Sequence, residues 1–177
     1  MSETRLIRDA TPADAEACAA LYRPYVTGTA VTFETEPPTA EVMADRISAA
    51  QESYAWLVGE EAGRVVGYAY GGPWKSRAAY AWSTEVSVYV EVGRRRSGTG
   101  RALYEALLDR LRERGYRMAV AGMTLPNDAS RGLHGALGFT DVGTIRRVGW
   151  KHGSWHDVGY VQRALVPESD EPPAGPH

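Results

Sequence analysis

The sequence predicts a single mixed α/β domain. Short alternating or β-branched segments of strand length recur between segments of helix length with apolar stripes. Their order is one strand, two helices, three strands, a helix, a strand, a helix and two strands, with no internal repeat. A connection rich in glycine and arginine joins a strand to the most regular of the helices, the setting of a ligand-binding turn in α/β proteins.

Composition bounds the reading. The chain has 177 residues, which suits one domain with a substantial core. It is 44% hydrophobic and 24% charged, the proportions of an ordinary soluble globular protein. Net charge is -2, so no overall basic field draws it to nucleic acid or an anionic membrane, and any anion must be held by a local cluster. The one cysteine, Cys18, excludes an intramolecular disulfide and a metal site built on several thiolates. Met1 to Arg5 lack a hydrophobic signal core, and no apolar run approaches the ~20 residues that span a bilayer. The expectation is a cytoplasmic protein without nucleic-acid or membrane partners.

Taken in order, Arg5–Arg8 alternates as a short strand. Thr11-Pro12 is a helix start, with a hydroxyl N-cap, proline at the first position and Asp14 three residues after the cap. That helix carries Cys18, Leu21, Tyr22 and Tyr25 on one face, which makes Cys18 a buried, inert thiol. A second helix begins at Thr39 and is expected to bury Val42, Met43 and Ile47. Trp56–Val58 and Val65–Tyr70 read as a hairpin turning through Glu61-Ala62-Gly63. Thr84–Val90 is a third strand by alternation. Leu103, Leu107 and Leu111 stripe the next helix, which ends at Gly115. Tyr116–Leu125 is a strand, 127–137 a short helix closed by Gly138, and two strands follow around Phe139–Val148 and Asp157–Leu165. The domain is expected over residues 1–166. Residues 167–177, acidic and rich in proline, are expected to be a disordered tail.

The strongest chemical signal is Arg94-Arg95-Arg96-Ser97-Gly98-Thr99-Gly100-Arg101 between strand and leucine-striped helix. Glycines let several backbone N–H groups approach one ligand, the helix N-terminus adds partial positive charge, and arginines suit a diphosphate. Glycine and arginine alone fit a solvated turn equally well; the flanking strand and amphipathic helix turn the reading toward phosphate. It is neither a Walker loop nor the dinucleotide fingerprint.

Arg95-x-x-Gly98-x-Gly100 after Val88-Tyr89-Val90 resembles the pyrophosphate loop of the GNAT superfamily of N-acetyltransferases. Within it, the chain is similar to the phosphinothricin and methionine sulfone/sulfoximine N-acetyltransferase group. The matching stretches are 31–37, 72–77, 80–90, Leu125-Pro126-Asn127-Asp128, 133–139 and 151–158, and the likeness spans roughly Arg5 to Leu165. Glu91-Val92-Gly93 departs from the Ser/His-Pro-x usual ahead of the loop.

The resemblance implies the GNAT acyl-CoA N-acyltransferase fold, a mixed central sheet flanked by helices, and acetyl-CoA as co-substrate with no metal. It implies that the pantetheine arm lies along Val88, Tyr89 and Val90 like an added strand, with the diphosphate at Arg95, Arg96, Ser97, Gly98, Thr99, Gly100 and Arg101. It also implies that Asn127 bonds the cofactor arm; the residue alone reads as a helix N-cap, and both roles are compatible. Glu85 would be the base, which partial burial would bring toward neutrality. By alternation alone a solvent-facing position fits Glu85 equally well, and the resemblance decides. His134 would support by proton relay or substrate binding. Tyr104, one turn into its helix, would protonate the leaving thiolate, with core packing the competing reading. Lys75, Ser76, Arg77 and Tyr80 would face the substrate's anionic groups, Phe33 and Trp82 would line its side-chain pocket, and Val86 and Ser87 would border it. Without the resemblance, Lys75 and Arg77 read as an ordinary solvated loop. His152 and His156 are spaced like metal ligands, but Gly153 and Trp155 between them argue for a turn. A homodimer is expected. The implied reaction is acetylation of the α-amino group of phosphinothricin, methionine sulfone or methionine sulfoximine; the alternatives are another small amine, a peptide N-terminus, or a non-catalytic acetyl-CoA sensor.

Overall fold

The computed structural model describes residues 5–94, 97–171 and 174–176. Its elements follow the expected order: β1 (Leu6–Asp9), α1 (Ala15–Gly28), α2 (Ala40–Ser53), β2 (Trp56–Glu61), β3 (Arg64–Pro73), β4 (Ser83–Val90), α3 (Thr99–Glu113), β5 (Met118–Leu125), α4 (Asp128–Ala136), β6 (Thr140–Lys151) and β7 (Ser154–Ala164). One seven-stranded sheet runs β1-β2-β3-β4-β5-β7-β6. Among the described residues only the β4–β5 pairing is parallel; it is also where the chain crosses over through α3.

The sheet divides two apolar clusters. On one face α3 lays Leu103, Leu107 and Leu111, each fully buried, against Leu57, Ala69, Val86 and Ala119. Each such leucine contributes roughly 1.5–3 kcal/mol of burial. On the other face α1 and α2 bring Cys18, Tyr22, Met43 and Ile47 against Trp56, Val58 and Tyr68. Cys18 is a free, fully buried thiol whose pKa is pushed up to about 12 by desolvation. It is inert, as expected.

Two details depart from the expectations. Pro12–Asp14 forms a separate 3-10 turn before α1. In that turn Asp14 accepts the Thr11 N–H at 2.8 Å, the reciprocal half of a capping box. Val42 is 43% exposed, not buried: Met43, Ile47 and Ala50 set the inward stripe of α2, and Val42 lies one helical step, about 100°, off it. The segment 151–157 holds the expected turn, and a tight one. β6 and β7 run almost to its centre and turn on His152-Gly153 alone, both at positive φ. That two-residue turn suits the right-handed twist of a hairpin.

Candidate active site

The site begins where β4 and β5 part. Their register covers only Ser83–Glu85 against Met118–Val120; beyond Glu85, among the described residues, β4 has no partner on that side. On its other side β4 pairs β3 as far as Val90. Glu91 N–H donates to Val66 O at 2.9 Å, so alternation turns the backbone groups of Glu85, Ser87 and Tyr89 toward β3. Those of Val86, Val88 and Val90 face the split. Two of these carbonyls already accept tyrosine hydroxyls: Val86 O from Tyr104 at 3.3 Å and Val90 O from Tyr25 at 2.6 Å. The backbone of Val88, between them, borders the open cleft.

That cleft gathers residues distant in sequence. Val86 to Tyr89 form one wall and Gly122 and Met123 of β5 the other, with Tyr104, Asn127, Ser130, His134 and Val31 closing it. Val88, Tyr89, Tyr104, Asn127 and His134, singled out in the sequence, thus meet in one place. Asn127 caps α4 with its Oδ1, accepting Ser130 N–H at 3.0 Å. The amide N–H2 is then the group it can offer the cleft. Val86 is 2% exposed and packs its side chain under α3, so it presents backbone.

His134 and Tyr104 form a buried pair, 4% and 1% exposed. His134 Nδ1 lies 2.7 Å from Ser130 O, a carbonyl that can only accept, so Nδ1 carries the proton. Burial lowers the His134 pKa and favours the neutral ring. Its Nε2 is then a lone-pair acceptor 3.1 Å from the Tyr104 hydroxyl, whose one proton is shared between it and Val86 O. Desolvation holds the Tyr104 phenol well above its ordinary value, so it keeps its proton.

Glu85 lies on the opposite face of β4, half-buried, at the last paired position before the split. Desolvation raises its pKa, and the Lys75 ammonium partly opposes this. Next to it opens a groove of about 520 Å³. Trp74, Lys75, Tyr80 and Ser83 line one side, Met118 and Val120 the floor, and residues 142–145, Tyr160 and Gln162 the other side. Lys75 lies over the Trp74 ring at 4.6 Å. Ser76 and Arg77 are exposed and outside the groove lining. Trp82 donates its Nε1–H to Ala174 O at 2.8 Å. Phe33 sits farther along the same face, its ring 6.2 Å from that of His156. The sequence reading missed Tyr160 and the β6 wall. Alternation marks Tyr160 only as facing one side, and nothing local says that the side is a groove.

The glycine-rich connection has the expected geometry where it is described. Gly98 is the N-cap of α3 at φ +78, a conformation that favours glycine. The first-turn N–H groups of α3 follow it, and Ser97 and Thr99 hydroxyls lie 2.9 Å apart. Arg95 and Arg96 lie outside the described residues. Arg101 pairs with Glu105 at 2.8 Å on the exposed side of α3. Arg94, one of the arginines that suggested phosphate, is already engaged by Glu61 and Glu91.

Strands that split beside a glycine-capped helix N-terminus, with unpaired backbone in the gap, suit an extended diphosphate-bearing thioester lying along β4. Among the described residues no three His, Cys, Asp or Glu side chains cluster as metal ligands, and no helix is long and apolar enough to cross a membrane.

Fold and cleft together define an N-acetyltransferase that uses acetyl-CoA. The chain belongs to the GNAT acetyltransferase family: residues 7–159 match the family described as "Acetyltransferase (GNAT) domain". It is 46% identical over 157 residues to the phosphinothricin N-acetyltransferase of Streptomyces viridochromogenes, covering 89% of this chain and 86% of that one. It is 38% identical over 168 residues to an L-methionine sulfoximine/L-methionine sulfone acetyltransferase of Pseudomonas paraeruginosa, covering 94% and 98%. Its structure is similar to that of a GNAT superfamily phosphinothricin acetyltransferase from Sinorhizobium meliloti in complex with AcCoA, with TM-score 0.91, 35% identity and coverage of 97% and 94%.

Proposed function

We propose that this enzyme acetylates the α-amino group of a small amino acid whose side chain bears a tetrahedral polar group, of the phosphinothricin, methionine sulfone and methionine sulfoximine kind. One observation carries the reading: a half-buried carboxylate of raised pKa, Glu85, at the last position paired before β4 and β5 part, feels the charge of Lys75, which lines the neighbouring groove. The names of the relatives support the substrate class.

In this reading the amine enters the groove with its anionic groups toward Lys75. Glu85 takes a proton from the ammonium, directly or through one water, and the neutral amine attacks the acetyl carbonyl. The N–C bond forms as the C–S bond breaks. Backbone N–H near Val88 stabilises charge developing on the carbonyl oxygen. Tyr104 gives the leaving sulfur its phenol proton, turning one torsion away from His134 Nε2. The amide nitrogen sheds its second proton, and the phenol is restored from solvent. Glu85 and Tyr104 belong to opposite faces of the sheet, and the split between β4 and β5 lets both address one bond. The groove, at about 520 Å³ with apolar walls, also favours a second reading in which a bulkier amine or a peptide N-terminus is accepted.

A homodimer belongs to the same proposal. Support comes from the outer strand pair, where Val142, Ile145, Val148, Trp150 and Trp155 are 48–58% exposed along one hairpin. A cytoplasmic setting, which keeps Cys18 reduced, completes it.

The test is thiol release from acetyl-CoA across phosphinothricin, methionine sulfone, methionine sulfoximine, the common amino acids and short peptides. Saturable release with the tetrahedral-group amino acids and little with the rest supports the proposal. Release only with peptides or ordinary amino acids overturns the substrate class. Acetyl-CoA binding with no release at all revives the sensor reading.

A further inference from the structure

The diphosphate loop is held from behind by charged residues that the reaction itself does not use. Glu61, the last residue of β2, is 9% exposed. Its Oε1 accepts Arg5 Nε–H at 2.9 Å, and its Oε2 accepts an N–H of Arg94. Arg5 spends a second donor, Nη2, on the carbonyl of Ser97 at 2.7 Å. Arg94 spends its Nε on Glu91, which also takes two N–H groups of Arg64. Two ends of the loop, Arg94 and Ser97, are thereby tied to one carboxylate on a neighbouring strand. A Cβ at Gly98 would lie 3.6 Å from Arg5 Nη1, so Arg5 sits directly behind the loop.

The Ser97–Gly98 peptide is the consequential link. In a trans peptide the C=O and N–H point in opposite directions. By drawing the Ser97 carbonyl toward itself, Arg5 turns the Gly98 N–H the other way. Gly98 at positive φ then continues into the N–H groups of the first turn of α3, the concave arrangement that binds phosphate oxygens.

We propose that Glu61 is a positioning residue for acetyl-CoA: acting through Arg5, it sets the direction of the Gly98 N–H and so the affinity of the loop for the diphosphate. The same arrangement accounts for Glu91, which replaces the residues usual ahead of this loop and here anchors Arg94 and Arg64. Arg94 is a structural arginine, committed to two carboxylates and not to phosphate.

Two opposing effects make the test sharp. A carboxylate near a diphosphate repels it, so if Glu61 contributed only charge, Glu61→Gln would tighten acetyl-CoA binding. If it positions the loop, the same substitution loosens the Arg5 link and weakens binding. Calorimetric titration of the intact protein with acetyl-CoA is expected to show Kd raised about tenfold by E61Q, on the scale of losing one charge-assisted hydrogen bond. Arg5→Gln, which cuts the link at its other end, is expected to match it, and the double variant to lose no more than either alone. S-acetylpantetheine, which lacks the diphosphate, is the control, read by its inhibition of acetyl-CoA binding; its affinity should be the same in E61Q and wild type. Tighter or unchanged acetyl-CoA binding overturns the proposal. So does an equal loss for S-acetylpantetheine, which would mark a general weakening of the fold.

Discussion

The ring of Phe33 occupies the space that a side chain at position 149 would need: a Cβ on Gly149 would lie 2.2 Å from the ring. Gly149 is not at positive φ, so the ring and not the backbone excludes a side chain there. Around this contact the loop after α1 is strapped to the β6–β7 hairpin. The buried Lys151 ammonium donates to Thr32 O at 2.8 Å, His152 Nε2 lies 3.2 Å from Thr29 O, and Tyr22 O–H reaches Glu34, itself paired with Arg46. Val31, in the same loop, borders the cofactor cleft.

Gly149→Ala should therefore displace Phe33, with an overpacking cost of roughly 1–3 kcal/mol in stability. If Phe33 faces the acceptor, the KM for the amine rises several-fold while that for acetyl-CoA stays the same. In a Phe33→Ala background the second substitution should have almost no effect on either stability or KM. Melting curves and initial rates of the four proteins measure both couplings. Additive effects would show that the two residues act separately.

Glu85 gives a prediction in pH. Burial raises its carboxyl above the ordinary value and Lys75 opposes that shift. A base works only when ionised, so kcat/KM for the amine should rise with pH along an acid limb displaced upward from an ordinary glutamate. Lys75→Met removes the opposing charge and should move that limb to still higher pH. The same shift has a stability consequence. The folded state holds this proton more tightly than the unfolded chain, so Glu85 costs stability as pH rises through its folded pKa. Glu85→Gln should thus melt above wild type at pH 7, with the gap closing below about pH 4, where both forms are neutral. Rate profiles and melting curves across pH check the two halves independently.

The buried Tyr104–His134 pair predicts a division between turnover and binding. Tyr104→Phe keeps the ring in its core position but removes the proton donor, so kcat should fall about 100-fold, the scale of general acid catalysis, with acetyl-CoA affinity nearly unchanged. A fall in affinity with kcat intact would assign Tyr104 to packing alone. His134→Ala should lower kcat less, since it removes only the acceptor that orients the phenol.

Much of this architecture was legible in the sequence because it rests on local rules. The leucine stripe of α3, Gly98 at its start and Gly115 at its end are read from spacing, and Asn127 from cap chemistry. Glu85 was different: alternation left its face open, and burial near Lys75 depends on how the 74–80 connection folds back. Arg94 shows the limit from the other direction. An arginine beside glycines invites a phosphate reading, yet its partners Glu61 and Glu91 come from two other segments, and long-range pairing leaves no periodic trace. Val42 failed for a simpler reason: Met43, Ile47 and Ala50 hold the inward stripe of α2, and Val42 lies about 100° off it.

Asp14 joins sequence-legible capping to a pairing that the sequence did not disclose. It accepts the Thr11 N–H in the turn before α1, and Arg8 of β1 grips both its oxygens at 2.8 and 2.9 Å. The carboxylate is 7% exposed, and the Arg8 hydrogen bonds lead in holding its pKa below the ordinary value, with Thr11 adding to them against the cost of burial. Asp14→Asn keeps the shape but removes the charge that Arg8 answers, and the partly exposed guanidinium limits the loss to about 1–3 kcal/mol at pH 7. A depressed folded pKa contributes stability that is fully present above the unfolded value, near 4, and is lost as pH falls through the folded value. The melting-temperature gap between wild type and D14N should therefore be constant from pH 7 to about 5 and shrink steadily below that. A gap independent of pH would mean that Asp14 acts through its hydrogen-bonding shape and not through its charge.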